Sequence, residues 1–150
     1  IFHGRVLFRK QARRSGRRFT GRENEIHFTD QLQVLMASPT SRSLQELKKR
    51  GYHAGVVEKW NAFARIRIDL FGFIDIVAVK HTENGCLGIQ ATTTDNMSKR
   101  IQKALQIPAL RSWLLAGNKF SVWGFAKRGA RGERKLWELK ETAITIQDLD

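Results

Sequence analysis

One stretch of the chain constrains its fold more than any other: an apolar run that contains a carboxylate and is followed by a turn. Residues 72–80 are rich in branched apolar side chains, which predicts a central strand covered on both faces, with Asp75 in its middle. Asn84-Gly85 predicts a tight turn, after which residues 86–93 form the return strand. A buried carboxylate is unfavourable unless it is paired, protonated or bound to a cation. Asp75 is therefore predicted to be either a structural partner of an Arg or Lys or a metal ligand.

The neighbours of Asp75 on this hairpin favour the metal ligand. If the turn has an even number of residues, Asp75, Gln90 and Thr92 point to one face, because side chains alternate along strands. A two-residue turn at Asn84-Gly85 would place Val79 opposite Gln90. A four-residue turn would place Thr92 opposite Asp75, and an odd-length turn would separate the three polar side chains.

Patterns elsewhere predict a mixture of helices and strands. Ser43 and Glu46 have the spacing of a capping box, which predicts a helix from Ser43 to about Arg50. A strand candidate lies within residues 52–60, and Asp95 is a candidate cap for the next helix. The later predicted elements are helices over 96–106 and 108–117 and strands over 119–127 and 134–140.

The beginning of the chain differs in composition from the rest. Residues 1–40 combine eight arginines and lysines with Gly, Ser, Thr and Asn and show little periodicity, which is typical of a disordered basic arm. An arm that lies along phosphates is an alternative, and so is a segment that precedes a true start at Met36. We expect a folded domain over residues 41–150.

Charge indicates the class of partner. The chain holds 27 Lys and Arg against 14 Asp and Glu, a formal charge of +13, so a polyanion such as nucleic acid is the expected partner. A single cysteine, Cys86, excludes an internal disulfide and fits a reducing compartment. With no apolar run of membrane-spanning length and no signal-like pattern, we expect a soluble, cytoplasmic protein without a membrane partner.

Two short motifs on the hairpin resemble those of a known family. Ile74-Asp75 and Gln90-Ala91-Thr92 resemble the signature of the PD-(D/E)XK nucleases, and the predicted element order over residues 41–127 is similar to the core of that family. The segments Asp69–Asp75 and Gln90–Thr92 also resemble the Asp-Leu-Phe-Gly-Phe-x-Asp and Gln-x-Thr motifs of uncharacterised bacterial and phage proteins. The resemblance implies an α/β restriction-endonuclease-like core, αβββαβ, with a mixed central sheet flanked by helices.

The same resemblance implies an Mg²⁺-dependent (or Mn²⁺-dependent) endonuclease that cuts DNA. Its candidate metal ligands are the Asp75 carboxylate, the Gln90 amide oxygen, the Ala91 carbonyl and Asp69. Glu46, on the first helix, competes with Asp69 for the second carboxylate position and has a capping role as its alternative. Thr92 stands at the position where the family has a lysine. The catalytic set that the resemblance implies is Asp75, Gln90, Thr92 and Glu46. Such nucleases commonly act as homodimers, although no patch in this sequence identifies an interface.

Further basic and aromatic residues are candidates for contact with nucleic acid. The helix after the hairpin has a polar stripe that would meet phosphates, and a basic pair ends the next predicted strand. These candidates are Asn96, Arg100, Lys103, Lys127 and Arg128. The four tryptophans are expected in the core, with Trp60 the best candidate for stacking on a base.

Two other functions stay open at this point. A chain with Gln90 and Thr92 at motif positions is also compatible with a non-catalytic nucleic-acid-binding module on a degenerate nuclease scaffold. A basic assembly protein with no site at all is the third hypothesis.

Overall fold

The structure, a computed structural model, describes residues 38–150 and builds them around a five-stranded mixed sheet. The helices are α1 (Pro39–Lys49), α2 (Met97–Leu105) and α3 (Pro108–Leu115). The strands are β1 (His53–Val56), β2 (Lys59–Asn61), β3 (Ile66–Ile68), β4 (Ile76–Val79), β5 (Leu87–Thr93), β6 (Lys119–Arg128) and β7 (Leu136–Ile144). Short 3-10 turns cover Thr94–Asn96 and Ile146–Leu149. The predicted α/β class is confirmed.

The sheet has the order β1-β4-β5-β6-β7, while β2 and β3 form a separate two-stranded hairpin. All neighbours pair antiparallel except β5 and β6, which are parallel. A parallel pair needs a crossover connection, and α2 and α3 supply it. The arrangement puts the C-terminal end of β5 next to the start of α2.

Apolar side chains pack on both faces of the sheet. On one face, Leu47 of α1 packs with Ile89 and Trp123 in a buried cluster. On the other face, Val122 packs with residues of α2 and α3 such as Ala104 and Leu110. Because Val122 and Trp123 are consecutive in β6, they necessarily point to opposite faces. Burying such side chains contributes about 1.5–3 kcal/mol each, so helix packing holds β4, β5 and β6 firmly in place.

The first helix begins earlier than the capping box predicts. Its N-cap is Ser38, whose side chain accepts a hydrogen bond from the Ser41 N–H, and Pro39 opens the helix. Ser43 lies inside the helix, where its hydroxyl donates to the Pro39 carbonyl at 2.9 Å. The prediction of a start at Ser43 is wrong, because a Ser-Pro pair further upstream supplies a better cap.

The predicted strand over 72–80 is shorter than expected, and Asp75 lies directly before it rather than in its middle. Phe71 and Gly72 have positive φ angles of 54° and 85°, which reverse the chain. A single bridge joins Leu70 to Ile74 across this reversal. The strand candidate within 52–60 is likewise divided, into β1 and β2.

Within residues 38–150, no helix is long and apolar enough to cross a membrane. The predicted basic arm covers residues 1–40; residues 1–37, which include the proposed start at Met36, lie outside the described residues, whereas residues 38–40 form the N-cap and the first residues of α1.

Candidate metal centre

The β4–β5 pairing brings Asp75 next to Gln90. Ile76 pairs with Ile89 and Val77 with Gly88, and Asp75 directly precedes this paired stretch. The predicted pairing of Val79 with Gln90 is therefore wrong, and so is the alternative pairing of Asp75 with Thr92. The turn is longer than Asn84-Gly85 alone, but the shift is by an even number of residues, so Asp75 and Gln90 still share a face.

The Asp75 side chain is held by two donors on β5. Its Oδ2 accepts a hydrogen bond from the Gln90 amide Nε2 at 2.6 Å and another from the Ala91 backbone N–H at 2.9 Å. Asp75 is only 4% exposed and Gln90 only 3%. Both donors favour the charged form of the carboxylate, and both leave Oδ1 for other partners.

The Asp75 backbone ties this position to the segment that follows β1. Its carbonyl accepts from the N–H groups of Val57 and Glu58, at 2.8 and 3.3 Å, and its N–H donates to the Ile89 carbonyl at 2.9 Å. Glu58 is thereby fixed beside Asp75, although 17 residues separate them in the chain.

Three carboxylates meet at this point: Glu58, Asp69 and Asp75 have ligand oxygens that all lie within 4.8 Å of one another. The side chains of Glu58 and Asp69 are mostly covered, with 13% and 12% exposed. Glu58 lies between β1 and β2, and Asp69 directly follows β3. The sequence predicted Asp69 and missed Glu58. Glu58 could have been found as an acidic residue inside a strand candidate, because that strand could pair with the strand of Asp75.

Crowding of these carboxylates has an electrostatic consequence for Asp75. Burial raises the pKa of Asp75 to about 7, helped by the charge of Asp69 and by a hydrogen bond between the two carboxyl groups, and by the charge of Glu58. The Ala91 N–H acts in the opposite direction. Near neutral pH the group is therefore poised between holding a proton and being ionised, and a cation can take the place of that proton.

Two basic side chains border the carboxylates. Arg67 Nη1 lies 2.7 Å from Glu58 Oε1, and Lys103 Nζ lies 3.7 Å from Asp69 Oδ2. Both cations are well exposed, at 67% and 53%. They compensate Glu58 and Asp69 in part, while Asp75 pairs with no Arg or Lys among the described residues.

Other residues predicted for the catalytic set lie differently. Glu46 makes an ion pair with Arg50 at 2.9 Å, and Arg50 also contacts Glu141, so the structure does not bring Glu46 to the carboxylates. Thr92 is buried on the same strand face as Gln90, two residues further along. Ala91 contributes its N–H to Asp75, and coordination through its carbonyl stays a prediction.

The predicted nucleic-acid contacts fall into two places. Lys103 reaches the carboxylates, and helix spacing puts Arg100 on the same side of α2. Asn96, in the turn before α2, donates to the Thr93 hydroxyl. Lys127 and Arg128 end β6, where Lys127 lies over the Trp137 ring and Arg128 lies 3.6 Å from Glu138.

Oxygen-only ligands at this spacing suit a hard divalent cation such as Mg²⁺ or Mn²⁺. Comparison of the chain with protein-family models, with curated proteins and with solved structures gives no match in any of the three. What the centre can do is therefore judged from its own geometry.

Proposed function

We propose that this protein is a metal-dependent nuclease that hydrolyses phosphodiester bonds in DNA. The observation that carries the proposal is the meeting of Glu58, Asp69 and Asp75 within 4.8 Å in a strongly basic chain. Three carboxylates at this distance repel one another by about 1–4 kcal/mol per pair, depending on how far water screens them. Holding them together is readily explained if a divalent cation binds there in the working state.

The order of elements supports the same proposal. Without the inserted β2–β3 hairpin, the chain runs α1, β1, β4, β5, α2 and β6, an αβββαβ order with an additional helix, α3, in the crossover. This is the order of the restriction-endonuclease-like core that the motifs around Asp75 and Gln90 resemble. The centre also stands at the β4–β5 pair, where that resemblance expects it.

In this proposal the metal would be held by Asp75, Asp69 and Glu58. A bound Mg²⁺ supplies Lewis-acid polarisation of the scissile phosphate and a more acidic water. Gln90 and Ala91 fix Oδ2 of Asp75, so that Oδ1 is the oxygen left for the cation. Gln90 acts here as a donor that orients Asp75, a role for which an amide is suited and a carboxylate is not.

Lys103 is the residue best placed to act in the absence of a lysine at Thr92. Its ammonium group already lies 3.7 Å from Asp69 and is 53% exposed, so it can turn to a phosphate oxygen beside the cation. An ammonium on a flexible stem suits this change of partner. Arg100, one turn away on α2, would contact a neighbouring phosphate.

A non-catalytic DNA-binding module is the second candidate, favoured by one observation. The Gln90 amide donates a hydrogen bond to Asp75 and carries no negative charge. An acidic residue at this position would add a charged ligand on β5, which Gln90 does not. A weak metal centre would leave a protein that binds DNA through its cations without cutting it.

The test is cleavage of plasmid and branched DNA with Mg²⁺ or Mn²⁺ by the wild type and by matched amide variants. We expect Asp75→Asn and Glu58→Gln to lose cleavage by at least about 100-fold, since each removes a metal-ligand charge. Glu46→Gln is the matched control, because Glu46 pairs with Arg50 away from the centre, and it should cut like the wild type.

Metal binding is measured separately for the wild type and the variants. The measured quantity is the rise in the melting temperature of each protein when Mg²⁺ is added at pH 8 with the ionic strength held constant. Metal-dependent cleavage that survives Asp75→Asn would rule out the proposed centre. DNA binding without cleavage by the wild type would favour the non-catalytic module.

A further inference from the structure

The β2–β3 hairpin, residues 59–68, exposes large apolar side chains to solvent. It carries four large apolar side chains that the fold leaves in water: Trp60 at 62% exposure, Phe63 at 101%, Ile66 at 53% and Ile68 at 47%. Trp60 shares one face of the hairpin with its partner Arg67, while Ile66 and Ile68 lie on the other face. Apolar groups exposed on both faces and at the tip of one short hairpin are typical of an interaction surface. Trp60 was expected in the core, and its exposure reverses that prediction.

The charge of the hairpin indicates the partner. Its charged residues are Lys59, Arg65 and Arg67, with no acidic residue between positions 59 and 68. Rings interleaved with cations are the pattern of proteins that bind single-stranded nucleic acid, in which bases stack on aromatic faces and cations follow the phosphates. A second copy of this chain, itself strongly basic, would be repelled by the same cations.

The hairpin is shaped by contacts between its own residues. Trp60 pairs with Arg67 and Asn61 with Ile66 across its two strands. At its tip, the Asn61 side-chain oxygen accepts hydrogen bonds from the N–H groups of Phe63 and Ala64, at 3.1 and 3.0 Å. The rings are thus presented on a preformed turn, which lowers the ordering cost of binding.

Both ends of the hairpin are part of the metal centre. Glu58 directly precedes Lys59, and Asp69 directly follows Ile68. A pocket of about 190 Å³, lined by Val56, Glu58, Trp60 and Arg67, lies between the Trp60 side of the hairpin and Glu58, one of the three carboxylates. This pocket is smaller than the sites that hold drug-sized ligands and is of a size for a single planar ring.

We propose that this hairpin binds unpaired nucleotides next to the phosphate at the metal centre, with bases stacking on Trp60 and Phe63. The inference rests on the proposed nuclease function and deepens it: the substrate is DNA with unpaired nucleotides at the cut, rather than uniform duplex. Bases in an intact duplex are already stacked on each other, so the rings discriminate in favour of single-stranded segments.

The test measures binding without cleavage, so it is independent of whether the centre is catalytic. Full-length protein is titrated into fluorescent single-stranded DNA and into duplex of equal length, with Ca²⁺ in place of Mg²⁺, and anisotropy is recorded. We expect Trp60→Ala and Phe63→Ala each to weaken single-strand binding about tenfold, the order that base stacking supports, and to change duplex binding little. Trp60→Phe should restore most of the loss.

Trp137→Ala is the matched control. Trp137 is also exposed, at 42%, and also lies against cations, Arg42 and Lys127, but it belongs to β7. Equal losses on single-stranded and duplex DNA, or a Trp137→Ala loss as large as that of Trp60→Ala, would overturn the proposal. So would a wild-type dimer that Trp60→Ala dissociates in sedimentation, since the hairpin would then be covered by a second copy. If the wild type shows this binding pattern but does not cleave DNA, the proposed nuclease function is wrong. The proposal that the hairpin binds single-stranded DNA would still hold.

Discussion

At the scale of single residues, Asp75 shows what the fold tolerates to keep the centre together. It is nearly inaccessible to solvent, it lies beside Asp69 and Glu58, and no Arg or Lys among the described residues pairs with it. Two N–H donors stabilise its charge, yet burial and the neighbouring carboxylates raise its pKa to about 7. An ionised Asp75 is therefore unfavourable for the metal-free fold, a conflict typical of functional sites.

That conflict predicts a pH dependence of stability. A carboxyl whose pKa is about 7 in the folded protein and 3.8 in the unfolded chain loses stability as the pH rises between these values, and the full loss is present above pH 8. Asp75→Asn keeps an oxygen acceptor for Gln90 and Ala91 but never ionises. We expect it to match the wild type near pH 4 and to be about 2–4 kcal/mol more stable at pH 8.5 without metal.

Urea unfolding of both proteins across this range, in EDTA, measures the difference. A gap that does not change with pH would contradict the assigned environment of Asp75. Comparing the wild type with Asp75→Asn at each pH removes the contribution of titrating groups that do not interact with Asp75.

At the scale of elements, the connection between β4 and β5 sets the register that brings Asp75 into contact with Gln90. This connection packs against the α3–β6 junction: the Asn118 side chain accepts from the Cys86 N–H at 2.9 Å, and the Cys86 carbonyl accepts from the Lys119 N–H at 2.8 Å. Gly85 comes so close to the Gly117 carbonyl that an added Cβ would lie 2.1 Å from its oxygen. The turn is thus shaped by a tertiary contact as well as by its own residues.

Two glycines test that contact as a matched pair. Gly85 and Gly117 have similar positive φ angles, 76° and 85°, but a Cβ on Gly117 would meet nothing within 4 Å. We expect Gly117→Ala to cost about 1–2 kcal/mol for its left-handed backbone alone. Gly85→Ala should cost a further 1–3 kcal/mol, roughly, because the backbone must move to relieve the clash. Equal losses in urea unfolding would show that the connection does not depend on close packing against residue 117.

At the scale of the whole molecule, net charge would govern the proposed association with nucleic acid. The chain carries +13, and residues 1–35 hold 8 of its 27 basic and 3 of its 14 acidic residues, so the remainder is still basic at +8. Contacts of this kind release counterions and weaken with salt. In the proposed complex they would also position DNA without reading its sequence.

A salt titration of DNA binding tests which cations take part. The logarithm of the affinity should fall linearly with the logarithm of salt concentration, and Arg100→Ala should make the slope shallower by about 1, with the same loss on any DNA sequence. Arg111→Ala is the control, since Arg111 lies on α3 and pairs with Asp150. An unchanged slope for Arg100→Ala would place the phosphates on another surface.

The parts of the site differ in how far the sequence could predict them. Asp75 stood out because a carboxylate in an apolar run is costly, Asp69 was named through the resemblance of the motifs, and Lys103 was named from its spacing on the helix. Glu58 was missed because its approach depends on β1 pairing with β4, in which Val56 meets Ile76, a contact between segments far apart in the sequence. Glu46 was named because the resemblance implies an acidic residue on the first helix, with a capping box as its alternative role. The structure gives it neither that role nor a place beside Asp75.

The sequence by itself determined the α/β class and the shared face of Asp75 and Gln90. Alternation along a strand survives any even shift of register, so the facing held although the predicted pairing was wrong. Only the tertiary structure decided that Gln90 donates a hydrogen bond to Asp75, that Glu58 is the third carboxylate, and that Trp60 is exposed to solvent. Each of these depends on contacts between segments that are distant in the sequence. A local pattern of residues does not contain the free energy of such contacts.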